Sequence, residues 1–224
     1  MIKQIQRALE SALQNQPGDF LLSTKQEDYL TYRISSELTN YSNNSILPTQ
    51  WKRFDIVEIT PQNNEICKII EAKYHYSSDF TTLSNYGENC TRSDFNKLNV
   101  LGTQMNCEKY LLQFIVHLNS NHCIKWSNHL NGNLFGFNQN SKYFTYIHSG
   151  ALNRINPNLN FRNTLTSIYR EDFIELFVNE IKSYNLNLQF EGNCYFDLSD
   201  ATMRFIETEV HLPHEFHCFL WKII

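Results

Sequence analysis

Apolar residues recur at helical spacing in several stretches of the chain, and each stretch predicts an amphipathic helix. The first helix ends before Pro17-Gly18, the second covers residues 27–40, and the third is REDFIELFVNEIKSY. A shorter helix in SDFNKLNVLG starts with Ser93 as its N-cap and ends just before Gly102. The residues expected on the buried faces are Ile2, Ile5, Leu9, Ala12, Leu13, Leu30, Ile34, Leu38, Phe95, Leu98, Leu101, Phe173, Phe177, Ile181 and Tyr184.

Shorter apolar runs and alternating patterns predict β-strands. Two strands, at about 53–60 and 65–75, are joined by PQNN, which has the chemistry of a hairpin turn. YLLQFIVHL is almost continuously apolar, as expected of a strand covered on both faces. Further strands are expected at KYFTYIHSG and near 186–196, 202–212 and 215–223.

The polar segments Ser77–Arg92 and 119–142 are expected to be irregular. No internal repeat or linker divides the chain. The pattern therefore predicts one α/β domain over residues 1–224, with a mixed central β-sheet flanked by helices and additional antiparallel strands at the C-terminal end.

Three charged residues interrupt the hairpin strands where a sheet protein would usually place Val or Ile. Asp55 lies in RFDIVEI, and Glu71 and Lys73 lie in CKIIEAK. Side chains alternate along a strand, so Glu71 and Lys73 project from one face. Ile69-Ile70 and Ala72 around them indicate an interior strand rather than an exposed edge.

The pairing register decides whether Asp55 joins these two charges, and two registers are open. With a four-residue loop, 61–64, Asp55 faces Ile70 rather than Glu71. With a three-residue loop, in which Asn64 adopts the left-handed conformation, Asp55 lies opposite Glu71. In that register two carboxylates and an ammonium share one face.

Such a group suits metal-assisted hydrolysis of a phosphodiester. Two carboxylates alone would repel each other, and a hard cation such as Mg²⁺ relieves the repulsion because it takes oxygen ligands. The cation acidifies a bound water and neutralises phosphate charge, while the ammonium orients the nucleophile. The simpler interpretation is a solvated ladder of ion pairs on an edge hairpin.

RFDIVEI and CKIIEAK together resemble the core of the PD-(D/E)xK, or restriction-endonuclease-like, nuclease superfamily. The similarity covers about residues 27–118 and lies in the order of the parts: an acidic helix, two strands, a helix and an apolar strand. The resemblance implies that Asp55, Glu71 and the carbonyl of Ala72 bind the metal, and that Lys73 positions the attacking water. The chain departs from the literal pattern of the family because phenylalanine, not proline, precedes Asp55.

The family often has a further acidic residue on the first helix of this core, and the resemblance implies Glu37 for that role, bordering the apolar stripe. A surface glutamate near Arg33 is the alternative interpretation. In the later helix, Asn96 and Lys97 are candidates for a phosphate contact, or form a solvated face.

A second group of metal-ligand residue types lies near the C-terminal end. His211, His214, His217 and Cys218 fall within eight residues, and all are ligand types for zinc. Three-residue spacing on strands sends successive histidines to opposite faces, however. Histidines packed beside aromatic rings at a strand end are the preferred interpretation.

Taken together, the resemblance implies a Mg²⁺-dependent endonuclease, with Mn²⁺ as an alternative metal, that hydrolyses DNA by a metal-activated water. Restriction, phage defence, repair and mobile-element processing all use such folds. The formal net charge of −4 and the pI near 6.1 argue against broad non-specific binding of nucleic acid. Contact with DNA would need a local patch, a homodimer groove or a partner subunit. The alternative function is a catalytically inactive, nuclease-like subunit for binding or interaction.

Targeting and redox signals are sparse. The six cysteines form no CxxC pair, the N-terminal segment has no apolar signal core, and no stretch approaches the roughly 20 apolar residues of a membrane span. Reduced thiols in a cytoplasmic protein without membrane contact are therefore expected.

Overall fold

Four α-helices and eight β-strands make up the part of the chain that this computed structural model describes, which is residues 1–14, 26–42, 49–51, 54–80, 86–102, 105–117, 170–198, 202–205, 208–211 and 214–224. The helices are α1 (Ile2–Leu13), α2 (Glu27–Tyr41), α3 (Tyr86–Gly102) and α4 (Arg170–Ser183). The strands are β1 (Thr49–Trp51), β2 (Phe54–Thr60), β3 (Glu65–Tyr76), β4 (Glu108–His117), β5 (Leu188–Leu198), β6 (Thr202–Phe205), β7 (Thr208–His211) and β8 (His214–Ile223).

Six of the strands form one mixed sheet in the order β1-β2-β3-β4-β8-β5. Neighbouring strands are antiparallel except β3 and β4, which run parallel. Parallel neighbours need a crossover connection, and α3 lies in the segment that joins them. The strands β6 and β7 form a separate two-stranded sheet. The expected mixed α/β architecture with C-terminal antiparallel strands is confirmed.

Helices cover both faces of the sheet. The helices α1 and α2 pack their buried stripes, including Leu9 and Ile34, on the face that carries Ile70 and Leu112. The helices α3 and α4 pack on the opposite face, which carries Ile69 and other apolar residues of β4 and β8. Each strand of the sheet centre therefore buries both of its faces, which explains the continuous apolar run in β4. Among the described residues, no helix combines the length and the apolar content needed to cross a membrane.

The helix α3 is much longer than expected. A loop over Ser77–Arg92 is the wrong prediction, because a 3-10 turn covers Ser77–Phe80 and α3 begins at Tyr86. Ser93 lies inside the helix rather than at its N-cap. The first turns bury Gly87 and Thr91, and a Cβ atom at Gly87 would come within 2.5 Å of the Phe80 ring. Because the buried side of this half of the helix carries small and polar residues, no apolar periodicity marks it in the sequence.

Four further expectations differ from the structure or lie outside its described residues. The strand expected near 202–212 is divided into β6 and β7, which pair with each other. The expected helix end at Pro17-Gly18, the irregular segment 119–142 and the strand KYFTYIHSG lie outside the described residues.

Candidate functional site

The hairpin between β2 and β3 has the four-residue turn. Thr60 pairs with Glu65, and the turn is formed by residues 61–64. Asn64 is left-handed, with φ of 57°. An uninterrupted ladder from this turn would place Asp55 opposite Ile70. In that register Asp55 and Glu71 would project from opposite faces of the sheet.

A β-bulge in β3 reverses that outcome. Glu58 pairs with Lys68 and the next residue, Ile59, pairs with Ile66, so Cys67 is an extra residue that the pairing ladder skips. Beyond the bulge Ile56 pairs with Ile70 and Val57 with Ile69. One more step along this ladder brings Asp55 level with Glu71. The two carboxylates come close enough for Asp55 to raise the pKa of Glu71, through a bulge rather than through a three-residue loop. Their joint role as a site stays a prediction.

Asp55 is buried, and its side chain is the hydrogen-bond acceptor for a backbone amide of β3. Its Oδ2 accepts a hydrogen bond of 2.7 Å from the amide of Ala72, at the point where β2 has just begun. Burial raises the pKa of Asp55, and the amide of Ala72 offsets this only in part. In a strand the amide and the carbonyl of one residue point to the same side, so the carbonyl of Ala72 faces the Asp55 side of β3. Its role as a ligand stays a prediction.

Glu71 is a strongly perturbed carboxyl of the site. Its Oε1 accepts a hydrogen bond of 2.5 Å from Nζ of Lys97, while its buried Oε2 has no hydrogen-bond partner. Burial and the charge of Asp55 raise the pKa of Glu71 to about 7, against the opposing effect of Lys97. A carboxylate oxygen that is buried and unpaired is costly, and a bound cation would satisfy it.

Lys73 lies on the same face as Glu71 and pairs with a carboxylate of α2. Its Nζ is 3.3 Å from Oε1 of Glu27, and Oε2 of Glu27 accepts a hydrogen bond of 2.8 Å from the amide of Tyr74. Burial acts to lower the pKa of Lys73, but Glu27 and Asp94 outweigh it and the pKa is raised. Lys73 is therefore an ammonium donor at neutral pH, not a base.

Glu27, rather than the expected Glu37, is the α2 residue that the structure brings to this group. Glu37 lies ten residues further along α2, about 15 Å away at 1.5 Å per residue. Glu27 lies three residues before Leu30 and seven before Ile34, so it continues the buried face of α2 at the first position of the helix. An acidic residue in that register is the signal that could have singled it out.

Glu27 and Glu37 give a matched pair of variants. Glu27→Ala is expected to lower the free energy of unfolding by about 1–3 kcal/mol, because the buried amide of Tyr74 loses its acceptor. Glu37→Ala should change it by less than about 0.5 kcal/mol, as for most partly exposed positions. Urea denaturation measures both values. A larger loss for Glu37→Ala than for Glu27→Ala would contradict this assignment.

Asp94 is a further carboxyl of the site that the sequence pattern did not single out. It is buried on α3, and its Oδ2 has no hydrogen-bond partner. Burial raises its pKa to about 6, although Lys73 and Lys97 act to lower it. Asp94 and Lys97 are three residues apart on one helix face, whereas Asn96 is exposed. Both residues fall within the predicted helix SDFNKLNVLG, but the pattern does not tell on which strand that helix packs.

A buried hydrogen-bond chain anchors the first half of α3 on the sheet. The indole of Trp221 donates to Gln113 Oε1 at 2.9 Å, and Gln113 Nε2 donates to Thr91 Oγ1 at 2.9 Å. Thr91 in turn donates to the carbonyl of Gly87. Because each polar group is satisfied, the chain fixes the position of α3. Asp94, one turn further along, is thereby held over β3.

The positions of His217 and Cys218, the two candidate zinc ligands whose side chains the structure describes, argue against a shared zinc ion. His217 packs among Phe173 and Phe219, while Cys218 lies in the core on the other face of β8, beside Cys194. The two side chains therefore cannot share one ion. The side chains of His211 and His214 lie outside the described part of the chain. For His217 the expected packing beside aromatic rings is confirmed.

Comparison of this chain with protein-family models, with curated proteins and with solved structures gives no match in any of the three. A fold alone would not define an activity, and the chemistry of the site must be used instead.

When all of its carboxyls are ionised, the charges of the site do not balance without a cation. Asp55, Glu71, Asp94 and Glu27 contribute four carboxyls, and Lys73 and Lys97 contribute two ammonium groups. With every group ionised the sum is −2, the charge that one divalent cation neutralises. Within the described ranges, no group of three or more His, Cys, Asp or Glu side chains is arranged to hold a metal ion. The arrangement fits a hard cation held by two carboxylates and completed by water and substrate oxygens.

Proposed function

We propose that this protein is a metal-dependent nuclease with a restriction-endonuclease-like core, which hydrolyses phosphodiester bonds, those of DNA in the first place. The observation that carries the proposal is the convergence of Asp55 and Glu71 on one buried face, with an unpaired oxygen on Glu71 and ammonium groups on both sides. Apart from the short strand β1, which lies between α2 and β2, the order α2-β2-β3-α3-β4 agrees with the order of parts in the resembling superfamily.

Asp55 and Glu71 are the residues that would hold Mg²⁺ or Mn²⁺, with the carbonyl of Ala72 as a further oxygen donor on the same side of β3. Such an ion supplies an acidified water and neutralises charge on the phosphate. The raised pKa values of both carboxyls show how strongly the buried site disfavours uncompensated negative charge. A cation therefore binds here to groups that are already desolvated.

Lys73 has the role of holding the attacking water through a hydrogen bond from its ammonium. Its protonated state suits a donor, and Glu27 restricts the direction in which Nζ points. Because Glu27 also binds the amide of Tyr74, α2 fixes the lysine relative to β3. Holding the water near the phosphate accounts for part of the rate acceleration expected of such a site.

A catalytically inactive binding subunit is the second candidate, and the acidic balance of the chain, −4, favours it. The two functions differ in one result. An inactive subunit would bind a DNA duplex equally well in EDTA and in Mg²⁺. It would not cleave the duplex, whichever divalent metal is added.

Cleavage of plasmid and linear DNA in Mg²⁺ or Mn²⁺, and its absence in EDTA, is the direct test. Asp55→Asn is expected to lower the rate at least about 10²-fold, because the loss of a cation ligand removes several kcal/mol of charge stabilisation. Asparagine keeps an oxygen that can accept the amide of Ala72, so the variant should stay folded. The control is Glu58→Gln, on the same hairpin but paired with Lys68. Undiminished cleavage by Asp55→Asn would refute the proposal.

A further inference from the structure

Lys97 is the ammonium group in closest contact with the proposed cation site. Its Nζ lies 2.5 Å from Oε1 of Glu71, and it also lies 5.4 Å from the centre of the Phe54 ring. Its charge acts on all three buried carboxyls, since it lowers the pKa of Asp55, of Glu71 and of Asp94 against the effect of burial. Lys97 is therefore a positive charge shared by the whole acidic group.

The second lysine of the site has a different partner. Lys73 pairs with Glu27, at the end of the site where α2 begins. Removal of Lys97 alone would leave Oε1 of Glu71 without its hydrogen bond from Lys97, whereas the pairing of Lys73 with Glu27 would remain. The two lysines can therefore be separated by mutation.

We infer that Lys97 takes the place of the divalent cation in the metal-free protein, leaves Glu71 when the cation binds, and then contacts the phosphodiester of the substrate. This inference rests on the proposed function and adds a role for a residue of α3. A divalent ion on Glu71 would repel an ammonium held on the other oxygen of the same carboxylate, because like charges this close interact strongly at a partly buried site. The ammonium stands on a flexible four-carbon stem and is 28 % exposed as a side chain, so it can turn towards a bound phosphate.

Titration with Mn²⁺ in a calorimeter tests the displacement without any need for cleavage. At a pH high enough to ionise Glu71 in both proteins, Lys97→Met is expected to bind Mn²⁺ at least roughly tenfold more tightly than the wild type, since one charged hydrogen bond no longer competes. Lys97→Arg, which keeps the charge, should bind like the wild type. Lys68→Met is the matched control, because Lys68 also lies 2.5 Å from a carboxylate, that of Glu58, outside the site. Equal or weaker Mn²⁺ binding by Lys97→Met overturns the inference.

Binding of a 20-base-pair DNA duplex in Ca²⁺, at several salt concentrations, tests the phosphate contact. Lys97→Met should reduce the slope of log K against log salt by about 1, the change expected for one lost phosphate contact, and Lys68→Met should leave it unchanged. An unchanged slope for Lys97→Met overturns the contact.

Mn²⁺ binding that depends on Glu71 but not on Lys97 would overturn the inference and leave the proposed function standing. A failure of both wild type and Lys97→Met to bind Mn²⁺ would overturn both.

Discussion

Glu71→Gln is expected to abolish metal-dependent cleavage, with a loss of at least about 10³-fold, and to stabilise the metal-free protein above pH 7. The loss of activity follows because Glu71 is the carboxylate with the free buried oxygen on which a cation would bind. The gain in stability follows because the ionised form of Glu71 is disfavoured in the fold, where its pKa is raised to about 7 by burial and by Asp55. Glutamine removes that charge and can still accept a hydrogen bond from Lys97.

At pH 8 the gain in the free energy of unfolding should be on the order of 1–3 kcal/mol, measured by urea denaturation in EDTA. Glu58→Gln is again the control, and it should lose a little stability or none, because Glu58 and Lys68 are a partly exposed pair. A stabilised but inactive variant is the signature of a site that is built for function at the expense of the fold. If Glu71→Gln were both less stable and fully active, Glu71 would be an ordinary structural residue.

The free energy of unfolding of the metal-free protein is expected to fall as the pH rises from about 4 to about 7. Glu71 titrates near 4.5 when unperturbed and at about 7 in the fold, and Asp94 near 3.8 and at about 6. Each group binds its proton more tightly in the folded protein, so its stabilising effect is complete below the lower value and is lost through the higher one. At 1.36 kcal/mol per pKa unit, Glu71 alone contributes on the order of 3 kcal/mol.

Urea denaturation at a series of pH values in EDTA measures this decline, and the double variant Glu71→Gln/Asp94→Asn should remove most of it. Millimolar Mg²⁺ should oppose the decline near pH 7–8, since an ion bound only to the folded state stabilises it, by about 2.7 kcal/mol at a hundredfold excess over Kd. A decline of the same size in the double variant would locate its origin elsewhere in the chain.

Apolar periodicity predicted the elements whose buried sides are apolar, and failed where they are not. The helix α2 was expected to within one residue at each end because Leu30, Ile34 and Leu38 mark its stripe. The first half of α3 was missed because its buried side carries Gly87 and Thr91, which pack through close approach and hydrogen bonds. The division of the expected strand near 202–212 into β6 and β7 also depends on strand pairing rather than on the local sequence pattern.

For the site, residue types in the hairpin were sufficient to nominate Asp55, Glu71 and Lys73, because charged residues in interior strands are unusual. Their convergence could not be derived, since it depends on the extra residue Cys67 in β3. Lys97 was only one of two candidates for a phosphate contact. Contacts between a helix and a sheet are tertiary, and a single sequence holds no record of which helix residue meets which strand.

The hydrogen bond from the amide of Ala72 to Asp55 gives the two acidic residues different fates under selection. Asp55 accepts a hydrogen bond from a backbone amide of β3 as well as facing the site, whereas the charge of Glu71 weakens the fold. A lineage selected only for a folded, partner-binding protein would therefore gain by replacing Glu71 and lose by replacing Asp55 with an apolar residue. An inactive descendant of this protein should still carry an acceptor at position 55 long after position 71 has become neutral.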